Sequence, residues 1–301
     1  MTAKIILNPY AGRWSAGQRR IEFEAALHSV GIDYVLESTT GPGHAIDLAA
    51  EAVSKGYHPI IAAGGDGTIN EVVNGIALGA LADGWPEFGV IPLGSANDFV
   101  DNLGLPKNLN QAARVIAAGR IRKIDLGMVN GRYFANNAAI GLEPYITLIQ
   151  QRIQRLKGTF RYLVATLLGV RDNPSWTMHL EWEGDDFQGL VTLVTVGNSP
   201  RTGGIFYMTP HADPFDGKLT FVFGYLRNRR QILKALPSTT KPGAGNYVEH
   251  PAIREINTTW LRVQSDQPTP AHTDGEIFST AITELEYRLK PACLPVLLNK
   301  I

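Results

Sequence analysis

Gly64-Gly65-Asp66-Gly67-Thr68 lies between an apolar run at residues 59–63 and a helix-like segment at residues 69–75. A short continuous apolar run bounded by turn residues reads as a strand buried on both faces. The glycines then let the chain bend sharply with no Cβ in the way. The helix that follows aims its first peptide N–H groups at whatever stands in front of it, which suits an anion. Asp66 adds a carboxylate beside that anion site, useful only if a cation joins it, and Thr68 adds a hydroxyl. A metal-bound polyphosphate is the guest that answers all of these features. A plain turn with Asp66 as N-cap would look similar in isolation. The strand–turn–helix context favours nucleotide binding.

Composition narrows the rest. At 301 residues the chain is long enough for one large domain or two ordinary ones. Its 44% hydrophobic and 19% charged residues are those of a soluble globular protein. Lys plus Arg and Asp plus Glu both total 28, so no global field recruits nucleic acid, and no nucleic-acid partner is expected. The single Cys293 permits neither an internal disulfide nor a cysteine metal cluster. The apolar stretch near Met1 is too short for a signal peptide, and no window reaches 18 apolar residues. A cytoplasmic location is the expectation.

The first 125 residues alternate strand-like runs with helix-like ones. Strands are predicted at 4–8, 34–37, 59–63, 88–92 and 121–125, and helices at 17–29, 44–55, 68–78, 96–103 and 110–118. This order implies a mostly parallel sheet covered by helices, with ligands at the carboxyl ends of the strands. Asn8-Pro9, the Gly64 loop and Gly94-Ser95 all fall at such ends. After Asp125 the texture changes. A hairpin is predicted around Asn130-Gly131, one long helix over 144–170, and strands at 176–183, 187–196, 218–223, 255–264 and 283–289. The expected fold is α/β plus all-β. A three-layer nucleotide domain at 1–127, with a tail at about 290–301, precedes an antiparallel β-sandwich at 128–289. Residues 241–246 are predicted to be a mobile loop.

The run Pro92-Leu93-Gly94-Ser95-Ala96-Asn97-Asp98-Phe99 is a second strand end with a glycine turn opening a helix. Gly94 allows close backbone approach, while Ser95 and Asn97 can hydrogen-bond phosphate or ribose oxygens. An ordinary strand–helix cap would also use these residues. Adjacent parallel strands would bring both glycine loops to one rim.

Together these loops resemble the diacylglycerol kinase catalytic-domain family, which includes bacterial lipid kinases and sphingosine kinases. The resemblance rests on Asn8-Pro9-Tyr10-Ala11-Gly12, Thr40-Gly41-Pro42-Gly43-His44-Ala45, Gly64–Thr68 with Asn70-Glu71, and Pro92–Phe99. It continues through Ile124-Asp125-Leu126-Gly127, Gly197-Asn198-Ser199-Pro200 with Gly203-Gly204, Asp213–Leu219, and Asp274-Gly275-Glu276. Gly64–Thr68 alone is shared with NAD kinases and phosphofructokinases. Two positions depart from the family pattern: Ala11 stands where Ser is usual, and Ser95 where Thr is usual.

The resemblance implies a kinase that holds ATP in its N-terminal domain and a lipid, diacylglycerol first, in its C-terminal one. Asn8, Thr40, Gly64, Gly65, Asp66, Gly67, Thr68, Glu71, Gly94 and Ser95 would surround the nucleotide. Asp66, Asp98 and Asp125 would organise Mg2+ and its waters, an ion that keeps several waters and needs few direct carboxylates. Glu276 is favoured as the base that accepts the lipid hydroxyl proton, with Asp274 as orienting partner or substitute. Asp213, Asp216 and Lys218 resemble a second, structural magnesium site, although a Pro-Asp-Gly turn explains the same residues.

The basic stretch at 150–161 carries Arg152, Arg155 and Lys157 beside an apolar stripe of Ile146, Ile149, Ile153, Leu156 and Phe160. A domain-packing helix is the favoured reading. Its cations, with Arg13, could still touch anionic headgroups and associate the protein peripherally with a membrane. His44 is expected to cap or pack, and His211, His250 and His272 show no metal-ligand spacing. Neither a Walker loop nor the protein-kinase motifs occur. Two other functions remain open, a NAD kinase-like phosphotransferase and a non-catalytic nucleotide- or lipid-binding regulator. Which lipid is phosphorylated is not readable, because acyl-chain pockets are built from interchangeable apolar residues, nor is the oligomeric state, which allows a homodimer.

Overall fold

The computed structural model describes residues 2–80, 84–153 and 158–299. Two compact units divide the chain, Met1–Leu126 with Lys290–Ile301, and Gly127–Leu289.

The first unit runs β1 (Ala3–Leu7), α1 (Ala11–Trp14), α2 (Arg20–Ser29), β2 (Tyr34–Ser38), α3 (His44–Ser54), β3 (Ile60–Gly64), α4 (Asp66–Gly79), β4 (Phe88–Pro92), α5 (Asp98–Asn102) and α6 (Leu109–Ala118). It then enters β5 (Ile121–Val129), which continues into the second unit. β1, β3 and β4 are buried at every position, as their unbroken apolar sequences require. All pairings in this sheet are parallel, in the order β2-β1-β3-β4. Chain order reverses between β1 and β3, so the switch point where such sheets take their ligands lies between those two strands. α6 shows how a sequence pattern becomes a packed helix. Asn108 caps it by accepting Gln111 N–H at 3.1 Å, and Gly119 ends it in a left-handed turn. Leu109, Ala113 and Ile116 then join Ile5, Phe23, Leu27 and Ile61 in one core. Burying each large side chain of that set contributes about 1.5–3 kcal/mol.

The second unit contains β6 (Arg132–Phe134), β7 (Asn137–Gly141), α7 (Leu142–Arg152), α8 (Gly158–Asp172), β8 (Trp176–Trp182), β9 (Asp185–Val191), β10 (Leu193–Gly197), β11 (Arg201–Thr202) and β12 (Phe206–Tyr207). β13 (Leu219–Gly224), α9 (Arg229–Ala235), β14 (Ile253–Thr258), β15 (Trp260–Thr273) and β16 (Glu276–Leu297) follow. Among the described residues, β7, β10, β13 and β14 pair antiparallel in that order across the sheet, as do β15 with β7, β8 and β16, β8 with β9, and β5 with β6. β15 makes the sandwich: its first half pairs with β8, its last three residues pair with β7, and register shifts between Gln264 and His272 turn it from one layer to the other. Trp182, Phe221, Phe223, Leu180, Val263 and Tyr287 fill the space between the layers.

Several predicted elements are corrected. The single helix over 144–170 is two, α7 ending at Arg152 and α8 starting at Gly158, and residues 154–157 lie outside the described residues. The strand predicted over 187–196 is two, because Thr192 leaves the ladder and donates its N–H to Gly224 O. The run 255–264 also divides, between Thr258 and Trp260. The strand expected at 283–289 is the middle of the longer β16, which runs from Glu276 to Leu297. In the segment predicted as a mobile loop, Asn246 donates to the carbonyls of Lys241 and Tyr207, which ties it to its surroundings.

Candidate functional site

In the first unit the loops after β1, β3 and β4 are joined by direct contacts. Asn8 Nδ2 donates to Thr68 Oγ1 at 3.0 Å, linking the first loop to the Gly64 loop across the switch point. Gly65 and Gly94 meet backbone to backbone. A Cβ on Gly94 would lie 2.4 Å from Gly65 Cα, and one on Gly65 would lie 2.9 Å from Gly94 Cα. Only glycine at both positions lets the two loops close together, which the sequence could suggest but not measure. Asp66 fastens them from the other side, since its Oδ1 accepts Phe99 N–H at 3.0 Å at the start of α5. Its Oδ2 is unpartnered among the described residues. The first N–H groups of α4, at Asp66, Gly67 and Thr68, have no acceptor within the helix. An anion placed before them gains both those donors and the positive end of a helix of 14 residues.

Each predicted nucleotide residue has a definite place. Gly64 ends β3, Gly65 is the N-cap of α4, and Gly67 lies in the first turn of that helix. Thr68 is only 4% exposed and packs beneath Gly64, so its hydroxyl receives Asn8 rather than facing outward. Ser95 is exposed on the neighbouring loop. Asn97, expected to reach phosphate or ribose, instead folds its amide back onto Gly94 N–H and C=O at 3.0 and 3.1 Å. Glu71 spends both oxygens on Gly43 and Ala45 N–H groups at 2.8 and 3.2 Å, capping α3 and holding the Thr40–Gly43 turn. His44 Nδ1 accepts Thr40 N–H at 3.1 Å, the capping role expected of it. Asp98 is buried at the start of α5. Asp125 is buried too, and its Oδ1 accepts Ala292 N–H at 2.6 Å. Cys293 is no nucleophile at neutral pH, because burial pushes its thiol up to about 12.

Among the described residues no three His, Cys, Asp or Glu side chains gather to hold a metal ion directly. The Asp213–Lys218 loop is closed by its own turn bonds: Asp213 Oδ1 accepts Phe215 N–H at 3.0 Å, and Asp216 Oδ1 accepts Lys218 N–H at 2.9 Å. The Pro-Asp-Gly turn accounts for that geometry. Of the basic stretch, Arg155 and Lys157 lie outside the described residues, while Ile146, Ile149 and Ile153 pack into a core with Leu142 and Val170.

The second unit is organised around Ala135-Asn136-Asn137. Asp274 sits in a tight turn at φ +46°, and its carboxylate accepts the N–H groups of all three residues at 2.9–3.0 Å. Asn198 and Ser199 donate their N–H groups to Asn136 O at 2.9 and 3.1 Å. Glu276 opens β16 opposite Thr273, exposed, and its side chain makes no hydrogen bond or ion pair among the described residues. Two neighbouring carboxylates therefore have different situations, one fixed by the backbone and one open.

Beneath this turn lies a buried network that sequence reasoning missed. Glu143 Oε1 receives His272 Nε2 at 3.1 Å and Asn137 Nδ2 at 3.0 Å, and Oε2 receives Thr195 Oγ1 at 2.9 Å. Gly275 N–H approaches His272 Nδ1 at 3.4 Å, so the ring's hydrogen belongs on Nε2, facing Glu143. Burial pushes the Glu143 carboxyl up, but His272 and the hydrogen bonds from Asn137 and Thr195 outweigh it and hold the group below its usual range. The local signal was a single carboxylate in an otherwise apolar stretch, Ile140-Gly141-Leu142-Glu143-Pro144.

A parallel α/β unit with glycine loops meeting at its switch point, followed in the same chain by an antiparallel sandwich, is the build of a two-domain kinase. Residues 2–129 match the model of the diacylglycerol kinase catalytic domain. Residues 136–298 match that of the YegS C-terminal NAD kinase beta sandwich-like domain. A diacylglycerol kinase of Staphylococcus carnosus is 30% identical over 275 residues, covering 91% of this chain and 88% of the relative. One from Bacillus subtilis is 30% identical over 276 residues, covering 91% and 89%. A solved Bacillus anthracis structure carrying the diacylglycerol kinase name shares the fold with a TM-score of 0.80 at 23% identity, over 99% of this chain and 97% of the other. The chain belongs to the diacylglycerol kinase catalytic-domain family, and it is a kinase of the lipid-kinase kind.

Proposed function

We propose that this kinase transfers the γ-phosphoryl group of ATP to the hydroxyl of diacylglycerol, giving phosphatidic acid. The observation that carries the reading is the junction of the Asn8, Gly64 and Gly94 loops at the switch point, where unpaired N–H groups of α4 converge. These donors suit the β- and γ-phosphates, and Ser95 stands exposed where a nucleotide's oxygens can use its hydroxyl, while the exposed Thr40 hydroxyl contacts His44 Nδ1 at 3.1 Å. The open Oδ2 of Asp66 offers the kind of oxygen ligand that Mg2+ takes while keeping its waters, with Asp98 and Asp125 as the further carboxylates that the family likeness would assign to the ion. When bound, that ion would neutralise charge on the transferring phosphoryl group.

Glu276 acts as the general base. Its carboxylate takes the proton of the lipid hydroxyl as the new O–P bond forms and the bond to ADP breaks. Asp274 does not compete for that proton, because three backbone N–H groups already engage its oxygens. It positions the turn that presents Glu276. A phosphoryl-transfer screen with ATP and Mg2+ against diacylglycerol, sphingoid bases, phosphatidylglycerol and NAD tests the reading. Diacylglycerol should be turned over fastest. Preference for NAD, or lipid binding with no transfer to any acceptor, would sink it.

A further inference from the structure

The chain has equal numbers of acidic and basic residues, yet the stretch 218–248 contains no Asp or Glu at all. It carries Lys218, Arg227, Arg229, Arg230, Lys234 and Lys241. Among the described residues, none of the last five enters an ion pair. Arg227, Arg229 and Arg230 are all exposed at the start of α9, and Leu233 follows them at 44% exposure. Charges left uncompensated in this way raise one another's energy, and a counter-charge from outside relieves them.

α9 also borders a cavity of about 310 Å3 lined by Gln231, Lys234, Ser238, Asn246, Tyr247 and His250. Its hydrogen-bonding groups can be accounted for atom by atom. Gln231 Oε1 accepts Arg227 N–H at 2.8 Å, which leaves its amide NH2 to donate. His250 Nδ1 accepts Ala252 N–H at 3.1 Å, so Nε2 carries a hydrogen whether the ring is neutral or charged. Lys234 contributes three more hydrogens. Asn246 is spent on Lys241 O, Tyr207 O and Val248 N–H. Ser238 and Tyr247 have already donated to Ala235 O and Met208 O. No carboxylate lines the cavity: Glu249 accepts Gly245 N–H at 2.8 Å, Glu255 is paired with His211, and Glu143 is held by His272, Asn137 and Thr195. Burial first, and then the nearness of Glu143 and Glu255, pushes the Tyr247 hydroxyl up. What faces the space is therefore a set of donors with no carboxylate among them, which selects an anion.

We propose that this cavity binds the phosphate group of an anionic phospholipid. Lys234, Gln231 and His250 would hold the phosphate, while Arg227, Arg229 and Arg230 meet neighbouring headgroups and Leu233 reaches the acyl boundary. A bilayer source is favoured over a soluble phosphate ester by that apolar side chain set among cations, the composition of a surface-seeking helix face. The site differs from the basic stretch at 150–161 and does not depend on the phosphotransfer reading.

Sedimentation with phosphatidylcholine vesicles, with and without phosphatidylglycerol, tests it in the absence of nucleotide. The unaltered protein should bind only the anionic vesicles. Arg227→Ala/Arg229→Ala/Arg230→Ala should weaken that binding about a hundredfold, taking about fivefold for each cation near the surface. Lys234→Ala/His250→Ala should weaken it at least fivefold. Arg114→Ala, an exposed cation of the first unit, should leave it within about twofold. These substitutions remove exposed or half-buried side chains, and unchanged far-ultraviolet circular dichroism will confirm folding. Equal vesicle binding by all variants overturns the proposal. A Lys234→Ala variant that loses only inorganic phosphate, followed by the His250 ring signals, while still sedimenting normally, overturns the lipid assignment. Because no turnover enters the assay, its failure is separable from failure of the kinase reading.

Discussion

Replacing Asp274 by Asn and Glu276 by Gln separates two carboxylates that stand two residues apart. Asn tolerates the left-handed backbone at position 274, so Asp274→Asn removes charge and one acceptor without adding strain. The new NH2 group must face either Ala135 N–H or the pair from Asn136 and Asn137. Those three residues are buried, so at least one N–H loses its partner at a cost of about 1–3 kcal/mol. The bonds that survive fall from charge-assisted to neutral strength, which raises the total to about 3 kcal/mol. For a unit of this size that lowers the melting temperature by about 6–12 °C. Glu276→Gln touches no internal partner, so its melting temperature should be unchanged, while turnover falls at least about a hundredfold with ATP still bound. Thermal unfolding and initial rates on the same preparations give both readouts. An Asp274→Asn protein that melts like the unaltered one would refute the anchoring argument. A Glu276→Gln protein with near-normal turnover would remove Glu276 as the base.

Gly94→Ala drives a methyl group to within 2.4 Å of Gly65 Cα, a backbone atom that cannot step aside. It should cost about 1–3 kcal/mol and weaken ATP binding, with calorimetric titration showing unchanged affinity if the loops do not cooperate. Glu143 should add a pH dependence. Its folded pKa is held below the usual value, so its contribution is complete above the ordinary carboxylate range and is lost as pH falls through the folded pKa. Glu143→Gln should therefore be less stable in urea at about pH 7, and the gap should narrow as pH falls below the ordinary carboxylate range. A gap that stays constant across that range would count against the assignment.

The parallel unit was legible because its information is local. Apolar runs, glycines and helix starts follow one another within a few residues, and the loops at 64–68 and 94–95 fall where strand order puts them. Side-chain aim was not legible: the Thr68 hydroxyl is turned beneath Gly64 and the Asn97 amide onto Gly94, although both have the right chemistry for a phosphate. Strand breaks at Thr192 and Thr259 were hidden because β-branched residues continue an extended pattern without a mark. The network of Glu143, His272, Asn137 and Thr195 depends on pairings among β7, β10 and β15, so no window of sequence could contain it. The hold of Asp274 on Ala135, Asn136 and Asn137 was invisible for the same reason.

β16 begins at Glu276 in the sandwich and finishes beside β4, where Val296 pairs in parallel with Phe88 and Leu297 joins the core of the nucleotide-type sheet. The ribosome therefore releases most of the first unit long before the strand that completes it exists. Until about residue 297 clears the exit tunnel, β4 keeps an uncovered border. Vectorial synthesis cannot finish one unit before starting the next, and the later-made sandwich must be traversed before the earlier-made sheet is sealed.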